Sequence, residues 1–140
     1  EPLVIPGGLG TRREAGNKKL LKFISDRASV CKHVLSVCTG SLLLQAVKQL
    51  DGRKATPHWA FMDTLRKLPG PIVEEQRFVN DGKFWISAGI SAGIDMSLAF
   101  IAAQAGEKTA GEVQLLAEYY PLGRQYPTKD DSRLPKYLRT

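Results

Sequence analysis

Apolar and polar positions change rhythm block by block along the chain. Leu3-Val4-Ile5 is a short apolar run broken by Pro6-Gly7-Gly8-Leu9-Gly10, which predicts a strand feeding a glycine-permitted loop. A helix follows over roughly Glu14 to Ala28, with Lys18, Lys19 and Lys22 spaced around Leu20, Leu21 and Ile24 as on an amphipathic surface helix. The apolar run His33 to Val37 predicts a second strand, and the helix-like Ser41 to Leu50 stops at Asp51-Gly52. A brief strand near Lys54 to Thr56 precedes a helix around Trp59 to Leu68, closed by Pro69-Gly70. Ile72 to Val79 and Phe84 to Ser87 flank Asn80-Asp81-Gly82-Lys83, a hairpin signal. Ala92 to Ala105 and Thr109 to Tyr119 predict two successive helices.

This alternation predicts a doubly wound α/β sandwich over residues 1–120, with a mainly parallel sheet and one antiparallel hairpin. Residues 121–140, with Pro121, Pro127 and Pro135 among charges, lack periodicity and read as an extended tail. Active sites in such sheets lie beyond the carboxyl ends of the strands. The loop at Gly7-Gly8, the residues after Val37 and the segment after Thr56 all follow predicted strands and can converge on one crevice.

Chemistry enters at Ser36-Val37-Cys38-Thr39-Gly40. A strand turning directly into a helix needs small residues two positions either side of an outward-pushed side chain, and Ser36 and Gly40 supply them, so the segment reads as a nucleophile elbow. Unpaired N–H groups at the start of the next helix favour a negatively charged sulfur. The alternative is a buried cysteine ending a core strand. The backbone N–H of Thr39 is one candidate donor to a developing negative charge, and Gly8 is the second. His58, twenty residues beyond Cys38, is a candidate to orient or deprotonate the thiol, or else a histidine satisfied by its neighbours beside Trp59. Gly7, Trp59, Ile90 and Ser91 are candidates for substrate contact. His33 reads as structural, and so does Asp95, which opens a helix where a carboxylate satisfies free N–H groups.

Composition narrows the field. The chain has 140 residues, 43% of them hydrophobic, enough for one respectable core. No apolar run approaches the ~20 residues that span a bilayer, and Glu1-Pro2-Leu3-Val4 lacks the features of a signal peptide, so a cytoplasmic location away from membranes is expected. Cys31 and Cys38 lie about 23 Å apart if the stretch between them is extended, which predicts free thiols. The net charge of +6 is scattered from Arg12 to Arg139, which argues for solvated faces over specific nucleic-acid binding. Gly7-Gly8-Leu9-Gly10-Thr11-Arg12 lacks the Gly-Lys-Ser/Thr ending of a phosphate loop. Cys31, His33, Cys38 and His58 match no common zinc spacing. No cofactor and no metal are expected.

Ile5-Pro6-Gly7-Gly8, Ser36-Val37-Cys38-Thr39-Gly40-Ser41, Thr56-Pro57-His58-Trp59 and the stretch from Asp81-Gly82-Lys83 into Ser87-Ala88-Gly89-Ile90-Ser91-Ala92-Gly93-Ile94-Asp95 together resemble the ThiJ/PfpI superfamily over nearly the whole chain. The Cys-Thr-Gly turn followed by a His-Trp pair looks most like the isonitrile hydratase branch and the amidase-like domains fused to AraC-type regulators. No helix-turn-helix region follows, which favours the stand-alone enzyme. The resemblance implies a flavodoxin-like three-layer α/β/α sandwich, a homodimer, and Cys38 as a nucleophile that attacks the terminal isonitrile carbon before water releases a formamide. It places Thr39 beside the nucleophile, as a hydrogen-bond partner of substrate or acid. Family domains carry a strand and helix before the Pro-Gly-Gly loop, the strand ending in an acidic residue that contacts the cysteine. This chain starts directly on the Pro-Gly-Gly strand, so a truncated or processed chain, or a separate N-terminal segment, is expected. The alternatives are a glyoxalase or deglycase acting on α-oxoaldehydes through Cys38, and a non-catalytic redox-sensing or chaperone-like protein.

Overall fold

The computed structural model describes residues 1–121 and 135–138. A four-stranded sheet runs in the order β1-β2-β6-β5, built from β1 (Leu3–Ile5), β2 (Val34–Val37), β5 (Phe78–Asp81) and β6 (Phe84–Ser87). β1 pairs parallel with β2, with Leu3 opposite Val34 and Ile5 opposite Ser36. β2 pairs parallel with β6, and β6 antiparallel with β5. The expected α/β architecture, mainly parallel with one hairpin, is therefore what the chain adopts. Gly82 takes φ 61° in the hairpin turn, the left-handed backbone that favours glycine.

Period-two alternation assigns the two faces of the sheet. Val34, Phe84 and Ile86 share one core with Ile24 and Ala28 of α2 (Lys18–Val30) and with Leu43 and Leu44 of α3 (Gly40–Ala46). The other face meets α5 (Ala92–Ala105), where Gly93 approaches Val37 and Phe100 lies edge-on to Trp85. Helices thus cover both faces, and α6 (Glu107–Leu116) packs on α5. Phe84, Ile86, Leu44, Leu50 and Leu65 are among the largest fully buried side chains, each contributing roughly 2 kcal/mol by leaving water.

Several boundaries differ from expectation, each for a local reason. The helix expected over Glu14 to Ala28 is divided into α1 (Thr11–Glu14) and α2, because Asn17 caps the second helix by accepting the Leu20 N–H at 3.2 Å. The helix expected to reach Leu50 ends at Ala46. Lys48 turns left-handed at φ 57°, and Leu50 returns to the core. The run Ile72 to Val79 is two strands in two sheets: β4 (Ile72–Val73) pairs parallel with β3 (Lys54–Ala55), and the main sheet takes β5. Between them Glu74 pairs with Lys54 and Glu75 with Arg66, and the Gln76 carbonyl accepts from Thr56 Oγ1. The Glu74 N–H still donates to the Ala55 carbonyl at 2.9 Å, and beyond it the chain leaves the β3–β4 pairing. The helix expected from Trp59 is a 3-10 turn (Trp59–Phe61) followed by α4 (Met62–Arg66), and α6 ends before Tyr119. Of the expected tail, residues 122–134 and 139–140 lie outside the described residues; Lys136–Leu138 form a 3-10 turn.

Candidate active site

Four strand ends converge on one crevice. β1 leads to Pro6-Gly7-Gly8, β2 to Cys38, β3 to Thr56-Pro57-His58 and β6 to Ala88-Gly89-Ile90. Between them lies a cavity of about 580 Å³ lined by Val4, Pro6, Gly7, Gly8, Leu9, Val37, Cys38, Thr39, His58, Phe61 and Ile90.

Cys38 sits between β2 and α3 with φ 61°, a backbone conformation that a non-glycine residue adopts only under strain. Its N–H is shared between the carbonyls of Ser87 (3.1 Å) and Ala88 (3.0 Å), which fastens the turn to the end of β6. Ser41 Oγ donates to the Cys38 carbonyl at 3.2 Å. Two glycines make the tight turn possible. A Cβ on Gly40 would lie 2.5 Å from the Ile5 carbonyl oxygen, and one on Gly7 would lie 2.7 Å from the Val37 oxygen and 2.8 Å from both Cys38 Cβ and Thr39 N. The small residue expected two positions after Cys38 is thus required by the neighbouring strand as well as by the turn.

The crevice brings Cys38, Thr39, Gly7, Gly8, His58 and Ile90 together. Trp59 and Ser91 stand outside its wall: Trp59 lies tilted against the His58 ring, at 5.5 Å between centroids, and Ser91 occupies the N-cap position of α5. The Gly8 N–H, expected to face a developing charge, donates to Thr39 Oγ1 at 3.0 Å, and that hydroxyl sits 3.2 Å from the Gly8 carbonyl in return. The buried Thr39 side chain therefore ties the glycine loop to the Cys38 turn. The Thr39 N–H makes no hydrogen bond among the described residues and stays available as a donor.

His58 Nδ1 accepts the Ala60 N–H at 3.2 Å, capping the 3-10 turn that carries Phe61 into the wall. Burial lowers the proton affinity of the imidazole below the ordinary histidine value. Arg12 stacks over Phe61 at 5.0 Å and holds that ring against the loop after β1. Leu9 and Ile90, 90% and 80% exposed, form an apolar rim.

Among the described residues no carboxylate belongs to the wall, and the Cys38 thiol makes no hydrogen bond. Asp95 is engaged elsewhere, accepting from Arg77 Nε at 2.6 Å and from Tyr119 OH at 2.8 Å, in keeping with a structural role. His33 packs edge-on against Phe100 at 5.1 Å. Cys31 and Cys38 are free thiols. No group of three or more His, Cys, Asp or Glu among the described residues is placed to hold a metal ion, and no helix among them is long and apolar enough to cross a membrane. Among the described residues, the site thus joins an accessible thiol and one histidine of lowered proton affinity to a mostly apolar wall.

Sequence reasoning did not find Val4, Pro6, Leu9, Val37 or Phe61 as wall residues. For Phe61 a signal existed, since a residue three positions after His58 returns to the same side of a 3-10 turn.

The profile of the DJ-1/PfpI family matches residues 1–103. The chain is 42% identical over 119 residues to an isonitrile hydratase from Pseudomonas putida, covering 85% of this chain and 52% of that protein. It is 39% identical over 97 residues to the HTH-type transcriptional regulator CdhR from Pseudomonas aeruginosa, covering 69% of this chain and 28% of the regulator. Among solved structures, a ThiJ/PfpI family protein from Pseudomonas syringae superposes with a TM-score of 0.85 at 36% identity, covering 99% of this chain and 57% of that one. The chain therefore spans little more than half the length of the hydratase and of this structural relative.

Proposed function

This chain belongs to the DJ-1/PfpI family, and from that premise we propose that Cys38 is the nucleophile of a hydratase acting on isonitriles. The carrying observation is the placement of Cys38, strained and turned into the wall of a chamber that the described residues line mostly with apolar groups. The 42% identity to an isonitrile hydratase supports the same reading. An isonitrile is uncharged, reacts at its terminal carbon and carries its organic group on the far side, which suits a wall of Val4, Leu9, Phe61 and Ile90.

In the proposed reaction a bond forms between Cys38 Sγ and the terminal carbon, and the thiol proton ends on that carbon, leaving a thioimidate. Water then adds to the same carbon and the carbon–sulfur bond breaks. One water proton goes to the substrate nitrogen and the other returns to sulfur, so the product is an N-substituted formamide. The Thr39 N–H supports charge that develops during these steps, while Gly7, where a Cβ would stand 2.8 Å from Cys38 Cβ, lets the loop lie close to the thiol-bearing turn. The proposal includes a homodimer and an acidic group delivered from outside the described residues.

The test is formamide production from an apolar isonitrile such as cyclohexyl isocyanide, with Cys38→Ala as the control. Formamide that disappears in the variant is the expected result. Retained turnover in Cys38→Ala would end the proposal. Consumption of methylglyoxal with isonitriles inert would select the α-oxoaldehyde reading, and reversible peroxide oxidation at Cys38 with neither turnover would select the redox-sensing one.

A further inference from the structure

We infer that His58 serves the crevice as a fixed Nε2–H donor, and not as the base that deprotonates Cys38. Three observations meet on this one ring. First, the Ala60 N–H points at Nδ1 over 3.2 Å, and an N–H donor needs a lone pair to receive it. A neutral imidazole accepting at Nδ1 carries its proton on Nε2. Second, that ring edge is left open. His58 lines the cavity, and Nε2 has no partner among the described residues, yet it is absent from the buried unpaired atoms, which are His33 Nδ1, Ser36 Oγ and Gln45 Oε1. Third, Gly89 fixes the orientation of the ring. A Cβ there would stand 2.8 Å from Cδ2 and 3.4 Å from Nε2, so only glycine lets the ring lie against the loop after β6.

The consequence is a division of labour within one side chain. Nδ1 holds the 3-10 turn and, through it, Phe61. Nε2 presents a hydrogen to whatever occupies the chamber. A base for the thiol would need a free lone pair on the crevice side, and the Ala60 contact has taken the only one the ring owns. Within the hydratase reading, on which this step rests for its reaction partner, the Nε2–H serves the substrate nitrogen, which gathers negative charge as water adds to the thioimidate carbon. It lowers the barrier as a hydrogen bond and keeps its proton throughout.

Two substitutions separate the two ends of the ring. His58→Asn keeps an acceptor near Nδ1, preserving the cap on Ala60 while withdrawing the donor. His58→Gln carries an amide N–H out to the Nε2 position. Long-range ¹H–¹⁵N correlation spectra of the wild-type protein are expected to show Nε2 protonated and Nδ1 not, the signals being assigned by their loss in His58→Gln. The pH at which iodoacetamide alkylation of Cys38 reaches half its maximal rate is expected to stay the same in all three proteins. Turnover of cyclohexyl isocyanide is expected to fall roughly 100-fold in His58→Asn, the scale of losing one donor to developing charge, and to recover largely in His58→Gln. A proton on Nδ1, an alkylation profile displaced to higher pH in the variants, or full turnover in His58→Asn would each overturn the inference. If wild type turns over no isonitrile, the proposed function fails, while the tautomer and the alkylation profile still decide the role of His58.

Discussion

Replacing Gly7 by alanine tests how the thiol-bearing turn is held. The added Cβ would stand 2.7 Å from the Val37 carbonyl oxygen and 2.8 Å from Cys38 Cβ and Thr39 N, and two of these are backbone atoms that cannot rotate away. Overpacking of this kind costs roughly 1–3 kcal/mol, and the backbone partners place Gly7→Ala at the upper end, about 2–3 kcal/mol. Gly10, three residues on, is the matched control. It has helical φ −68° and ψ −20°, and a Cβ there meets nothing within 4 Å. Gly10→Ala restricts the unfolded chain without strain and should stabilise by about 0.4–1 kcal/mol. The two variants therefore differ by about 3 kcal/mol, or on the order of 10 °C in melting temperature for a chain of this size. Thermal unfolding followed by circular dichroism measures the gap, and iodoacetamide labelling tells whether the loss is local to Cys38. Two variants melting together would refute the close approach of β1's loop to the turn.

Three further outcomes follow from the same geometry. Because burial lowers His58's proton affinity, the unfolded chain binds more protons than the folded one just below the ordinary histidine value of 6.5. Stability is then present above that value and lost as pH falls through the lower folded-state value; urea midpoints measured either side of it should show a slope that flattens in His58→Gln. Thr39→Val removes the hydroxyl that joins Gly8 to the Cys38 turn and should cost about 1 kcal/mol in urea denaturation, with Thr39→Ser restoring it. Asp95→Asn weakens the charge-assisted contacts to Arg77 and Tyr119; the expected loss is about 1 kcal/mol, with faster amide exchange at the end of α6, and unchanged exchange there would count against the coupling.

How much was legible in the sequence depends on whether a residue's job was local. β1, β2, the hairpin and α5 follow from apolar runs bounded by glycine and proline, signals carried within a few residues. The breaks at Asn17 and Lys48 were missed because apolar spacing continues through both, while the backbone responds to one capping amide and one left-handed turn. Ile72 to Val79 read as one strand because nothing short-range reveals that Glu74, Glu75 and Gln76 find partners on two other segments, β3 with its exit and α4. At the crevice, Cys38 and its glycine neighbour were legible from the small-x-Cys-x-small pattern. The use of the Gly8 N–H was not, since its partner is a side chain thirty-one residues away. Nor was the tautomer of His58, which depends on a single backbone N–H pointing at the ring.

Cys38 also sets stability against reactivity. Its φ of 61° suits glycine, and relieving that strain with Cys38→Gly is worth on the order of 1 kcal/mol. A library of variants selected only for resistance to heat or protease would therefore drift toward losing the sulfur at position 38. A library selected for thiol chemistry would retain the strained residue and accumulate compensating substitutions elsewhere. The backbone angle at one residue thus predicts that the two selections separate at this position, whatever substrate the crevice receives.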